Sequence, residues 1–148
     1  MRLSQDDITI VDQFQPWWVK CAHCSKRAMM WPKRDERRGE QCGECKCQHC
    51  GALYEVPLRG WAPKLFEGLP LWLKRDFRGH VFWALNGEHL NYLERVVTAT
   101  LREEEQFRGK RIHRTTAMPF NLPAWLLSAK NRPDLIRLIN RLRKSALA

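Results

Sequence analysis

The chain has no stretch approaching ~18 consecutive apolar residues, so no segment reads as a membrane-spanning helix. Its opening, Met1-Arg2-Leu3-Ser4-Gln5-Asp6-Asp7, lacks the basic start and apolar run of a secretory signal. Also missing are a Ser–His–Asp pattern, a P-loop, an HExxH string and a GxGxxG string. Neither His23 nor His49 opens the His-x-Glu string that a zinc deaminase needs. Cysteine is missing from most of the chain, since all six lie between Cys21 and Cys50. These absences exclude the commonest enzyme classes and point to a cytoplasmic protein. In that reducing compartment, paired cysteines serve metal or redox chemistry rather than structural disulfides.

What is present centres on those cysteines. Cys21-Ala22-His23-Cys24 opens the stretch, and Cys47-Gln48-His49-Cys50-Gly51 closes it. Two CxxC pairs joined by a hairpin can give four thiolates to one tetrahedral Zn²⁺. The preferred ligands are Cys21, Cys24, Cys47 and Cys50, whose pairs are separated by 22 residues, enough for two strands and a turn. Gly51 lets the backbone turn tightly behind the metal, and Ala52-Leu53-Tyr54-Glu55-Val56 then alternates like a strand. Cys42 and Cys45 form an alternate pair at a spacing of 17. Cys45 also suits a core position in the strand before the second pair, because a free cysteine packs as a small hydrophobe. An iron–sulfur cluster is the competing reading of six clustered cysteines.

The net charge of +10 is uneven. Residues 1–60 hold 10 Lys/Arg against 8 Asp/Glu, and residues 61–148 hold 16 against 8. Such a basic balance suits a polyanion such as nucleic acid, or serves only solubility. A 44% hydrophobic fraction with seven tryptophans argues for a packed core.

The patterning predicts an α+β protein: an amino-terminal zinc ribbon built of β-hairpin knuckles, followed by a small β-hairpin plus helices. Residues 1–58 are expected to be the ribbon domain with an amino-terminal arm, and 59–148 a basic α+β region. Trp17 and Trp18 cover the ribbon or offer a stacking plane for bases. A strand over Ala28–Trp31 is expected to end at Pro32, and Lys33, Arg34, Arg37 and Arg38 lie at the polar tip that follows. Residues 57–70, punctuated by proline and glycine, read as a linker or irregular connection. A hairpin is expected over 71–85, its strands Leu71–Leu73 and His80–Leu85 joined by 74–79. A long amphipathic helix follows over 88–107, with Asn86 as its N-cap, and a helical hairpin over 122–145. Between the helices, Arg108 to Thr116 is the densest positive stretch, with Lys110, Arg111 and Arg114 as candidates for phosphate contacts. On the last helix Arg137, Arg141 and Lys144 make a basic stripe, which also compensates the helix dipole.

From Leu69 onward, Leu69-Pro70-Leu71-Trp72-Leu73, Gly79-His80-Val81-Phe82-Trp83-Ala84-Leu85-Asn86 and Glu88-His89-Leu90 form a run of short motifs. With Leu122-Pro123-Ala124-Trp125 and Ser128-Ala129-Lys130-Asn131-Arg132, they resemble a family of small bacterial proteins described as TFIIB-type zinc-ribbon-containing. The resemblance covers about half of the chain and implies a ribbon without implying an activity. Members often carry Cys-Cys-Gly in the hairpin after Leu-Trp-Leu. Here that place reads Lys74-Arg75-Asp76-Phe77-Arg78-Gly79, which keeps only the glycine.

These readings lead to a zinc-binding, nucleic-acid-binding accessory protein. The alternative is a protein–protein adaptor that docks through exposed tryptophans and its carboxy-terminal helices. No side-chain pattern in the chain reads a particular base sequence.

Overall fold

The computed structural model describes residues 14–34, 41–58, 66, 68–98 and 123–146. Among them the architecture is mixed α+β, with a four-stranded antiparallel sheet, a two-stranded sheet and three helices. No helix is long and apolar enough to cross a membrane. The chain divides into two compact units, one spanning Gln13–Asn86 and the other including Gly87–Ala148. The division expected after residue 58 therefore runs through the first unit.

In that unit, β1 (Trp17–Lys20), β2 (Arg27–Arg34), β3 (Gln41–Lys46) and β4 (Leu53–Pro57) lie side by side in sequence order. β2 runs past Pro32, where a strand end was expected. The reason lies in its neighbours. β1 pairs with Arg27 to Met30 only, so beyond Met30 β2 is bonded in the sheet on the β3 side alone. A residue without an N–H is tolerated on such an edge.

β5 (Leu73–Phe77) and β6 (His80–Ala84) form the second sheet, paired from Leu73↔Ala84 to Phe77↔His80. The sequence reading put residues 74–77 in the connection because Lys74, Arg75 and Asp76 hide the strand. The connection is instead the two residues Arg78 (φ 47°) and Gly79 (φ 81°). Positive φ at both central positions matches the twist of antiparallel strands, and so closes a two-residue hairpin.

The two sheets share one core. Trp18 N donates to Leu85 O (2.7 Å), Lys20 N to Pro70 O (2.8 Å) and Trp72 N to Trp18 O (2.9 Å). Trp17 is buried and meets the edge of Phe66 at 5.3 Å, while Phe66 stacks on Trp83 at 4.7 Å. Phe66 and Leu69 come from the stretch read as a linker, which instead contributes to the core. The reading of Trp17 as a base-stacking plane is overturned by the same burial.

In the second unit, α1 (Gly87–Thr98), α2 (Ala124–Leu127) and α3 (Arg132–Ala146) pack through aliphatic faces. Leu90, Leu93, Val96 and Val97 are buried on α1, and Leu135, Ile139 and Leu142 on α3. Polar ties close the contact. Arg143 donates to Glu94 Oε2 and Asn91 Oδ1, both at 2.9 Å, and Arg132 Nε donates to the Val97 carbonyl (2.8 Å). α1 begins directly after Asn86, whose Nδ2 donates to Pro16 O (3.1 Å). The carboxy-terminal part of the expected 88–107 helix, from residue 99, lies outside the described residues.

Candidate metal centre

β1 ends at Lys20 and β3 at Lys46, and each hands the chain directly to a CxxC turn. The two turns share one backbone design. Ser25 N donates to Cys21 O (3.0 Å), and Cys21 N donates to Lys26 O (2.7 Å). In the second turn, Gly51 N donates to Cys47 O (2.9 Å), and Cys47 N donates to Ala52 O (3.0 Å). The fifth residue of each turn is left-handed, Ser25 at φ 64° and Gly51 at φ 75°. This conformation brings the chain back behind the two sulfurs. It suits glycine and strains serine.

The result is a cluster of four sulfurs. Cys21 Sγ lies 3.7 Å from Cys50 Sγ, Cys24 Sγ lies 3.5 Å from Cys47 Sγ, and all four fall within 4.8 Å of one another. Four ligands about 2.3 Å from one Zn²⁺ at tetrahedral angles would lie about 3.8 Å apart. The spacing therefore suits one shared ion and is too long for disulfides, and all six cysteines are free thiols. His23 and His49 are exposed and stand outside the cluster.

The thiols disturb one another as such a cluster must. Burial raises the Cys21 thiol. The amides of Cys24 and His23 and the sulfurs of Cys50 and Cys47 outweigh it and lower the group to about 6. The Lys26 amide favours the Cys24 thiolate, yet burial and the sulfurs of Cys47, Cys50 and Cys21 push that group up to about 12. Cys50 is raised too: burial and its neighbours Cys47 and Cys21 overcome the Ala52 amide. A negative Cys21 sulfur thus disfavours ionisation of Cys24 and Cys50, and a divalent cation among the sulfurs would favour it.

The alternate pair does not join the cluster. Cys45 is fully buried in β3, where its Sγ lies 3.9 Å from Gly43 O, and burial pushes its thiol up to about 11. Cys42 lies three residues earlier in the same strand. Residues at odd separation in a strand point to opposite faces, with α-carbons about 10 Å apart. A disulfide needs less than about 7 Å, so the strand excludes a Cys42–Cys45 redox pair.

One supporting residue escaped the sequence reading. Tyr54 on β4 accepts a hydrogen bond from the Ala22 amide through its hydroxyl (3.1 Å), and its ring meets His23 edge-on at 5.2 Å. Burial pushes the phenol up to about 12. The alternation of residues 52–56 showed a strand there, but only the register, with Tyr54 opposite Cys45, brings its ring to the first turn.

Of the residues assigned to phosphate contacts, Lys33 lies exposed on β2, with its ammonium paired to the Glu44 carboxylate. That hydrogen bond and charge raise the Lys33 pKa. Arg34 ends β2 opposite Gln41. Arg37, Arg38, Lys110, Arg111 and Arg114 lie outside the described residues. No family model, curated protein or solved structure matches this chain.

Proposed function

We propose that this is a zinc-ribbon protein in which Cys21, Cys24, Cys47 and Cys50 hold one structural Zn²⁺, and that it binds nucleic acid as an accessory protein. The four-sulfur cluster carries the first part of this reading. Four thiolates fit the softness and tetrahedral preference of zinc. They also close the coordination shell, which leaves no open position for catalysis. An iron–sulfur cluster would interpose its own iron and sulfide atoms and spread the thiolates further apart than one ion's shell. Six free thiols accord with a reducing, cytoplasmic setting. The resemblance of the second half to TFIIB-type zinc-ribbon-containing proteins points the same way.

The charge of +10 supports the nucleic-acid part, with Arg141 and Lys144 exposed along α3 beside Arg137. Arg137 itself is paired with Asp134 at 2.8 Å. Binding of the zinc-loaded protein to labelled single- and double-stranded nucleic acid across a salt series tests this. The expected result is micromolar or tighter binding that weakens steeply with salt. No binding at low salt, in protein holding one zinc per chain, favours the adaptor reading. That second reading draws on Leu53, a large apolar residue left 72% exposed on β4.

A further inference from the structure

The register of the four-stranded sheet assigns its residues to two unlike faces. Trp17, Val19, Ala28, Met30, Gly43 and Cys45 lie on one face, and all are buried. The other face carries the exposed residues Lys20, Lys33, Lys46, Leu53 and Glu55. One rung crosses all four strands, from Trp18 to Met29, Lys46 and Leu53. Lys20 and Arg27 pair on the rung nearer the cysteines, and Trp31 faces Glu44 on the rung beyond. Lys20 and Lys46 are exposed, whereas Trp18, Met29 and Trp31 are half-buried. The Arg27 guanidinium lies 4.4 Å over the Trp18 ring, so a cation and an aromatic plane form one surface.

Charge decides what this face suits. Four thiolates on a divalent ion carry two negative charges. Lys20, Lys26 and Lys46 flank the cysteine turns, and Arg27 follows, so the cations outnumber that charge. The carboxylates of the face, Glu44 and Glu55, pair on the rung away from the cysteines, and Glu44 is bound to Lys33. The surplus positive charge therefore lies at the cysteine end, beside Trp18. Trp31 stands diagonally across from Trp18, about 7–8 Å away along the sheet, within the span of two successive nucleotides of a stretched strand.

We propose that this second face binds single-stranded nucleic acid. Trp31 stacks on a base, and Lys20, Lys46 and Arg27, which lies over the Trp18 ring, meet the phosphates. Flat aromatic groups accept any unpaired base, and cations beside them track the backbone without reading sequence. A duplex keeps its bases stacked on one another and can use only the cations. The inference rests on the nucleic-acid reading above and assigns it a surface.

The test is anisotropy of a labelled, mixed-sequence 12-nucleotide strand and of its duplex, titrated with zinc-loaded full-length protein at several salt concentrations. The wild type should bind the single strand more tightly than the duplex. Trp31→Ala should weaken single-strand binding by about 5- to 100-fold, with Trp31→Phe recovering part of the loss. The double variant Lys20→Glu/Lys46→Glu changes exposed residues only. It should weaken binding at least tenfold and flatten the salt dependence. Zinc content and circular dichroism, measured on every variant, separate a lost surface from a lost fold. If the wild type binds and the variants, Lys20→Glu/Lys46→Glu included, bind as well as it does, the surface assignment is wrong and the nucleic-acid reading stands. If the zinc-loaded wild type binds neither strand nor duplex, both are wrong.

Discussion

The two units are held together by different forces. In Gln13–Asn86, two turns with the same hydrogen bonds bring four sulfurs to one place at the end of a sheet, away from its aromatic core. In Gly87–Ala148, leucine, isoleucine and valine on α1 and α3 pack together, and Arg132 and Arg143 tie the helices with directed hydrogen bonds. The first arrangement offers four ligand atoms to one ion, and on the zinc reading that ion supplies much of its stability. The second needs only burial. Removing the ion and removing a methyl group should therefore damage different halves of the protein.

The largest effect should follow loss of the metal. Cys47→Ser, or a strong chelator, should release the ion and disorder both cysteine turns, since structural zinc sites supply about 10 kcal/mol or more to small domains. Tryptophan fluorescence and amide exchange at Cys21–Cys50 should report the change, while exchange within α3 stays slow. Simultaneous melting of α3 would erase the contrast between the units. Conversely, Ile139→Ala, at a fully buried position of α3, should cost about 2–5 kcal/mol in the helices. Urea denaturation followed by helical circular dichroism should show this at unchanged zinc content.

Acid should stress both units for separate reasons. The cysteine thiols must lose their protons to hold the metal, so low pH should release it. In the helical unit, burial lowers the His89 pKa from 6.5 to about 3. Between those pH values the unfolded chain binds a proton that the folded one excludes. Stability from this source is complete above the unfolded value and falls as pH drops through it, by at most about 1.4 kcal/mol per pH unit. His89→Phe should flatten the pH dependence of helix melting between pH 7 and pH 5 without altering acid release of the metal.

Smaller changes compare positions within the first unit. A methyl group at Gly43 would press on the side chain of Met30 in the buried face. Gly43→Ala should therefore destabilise the sheet by about 1–3 kcal/mol in thermal melts. The two cysteine turns allow a finer comparison. Gly51→Ala meets no neighbouring atom, so its cost is conformational alone, about 1 kcal/mol. Ser25→Gly should give a gain of similar size, because it relieves a left-handed serine at the equivalent place. If both changes have the same sign, the turns are not equivalent.

The sulfur cluster was legible because its signal is local. CxxC spacing and a following glycine define a turn wherever the turn sits. Periodicity exposed α1 and α3 for the same reason. What could not be read depends on contacts far apart in sequence. Phe66 lies among punctuating glycines and prolines, and only its stacking on Trp83 shows that the segment belongs to the core. β5 was hidden by three consecutive charged residues, Lys74, Arg75 and Asp76. Tyr54 reaches Ala22 through the register of β3 and β4, which no property of residues 52–56 reveals. The unlike faces of the sheet have the same origin: Trp17 and Trp18 are neighbours in sequence, yet one is core and the other lies under Arg27.

The most direct test of the metal centre is zinc stoichiometry by native mass spectrometry across single Cys→Ser variants. The wild type, Cys42→Ser and Cys45→Ser should each carry one zinc per chain, and Cys21→Ser, Cys24→Ser, Cys47→Ser and Cys50→Ser should lose it. Loss of zinc from Cys45→Ser with retention by Cys47→Ser would contradict the assignment and move the ligands to the other pair.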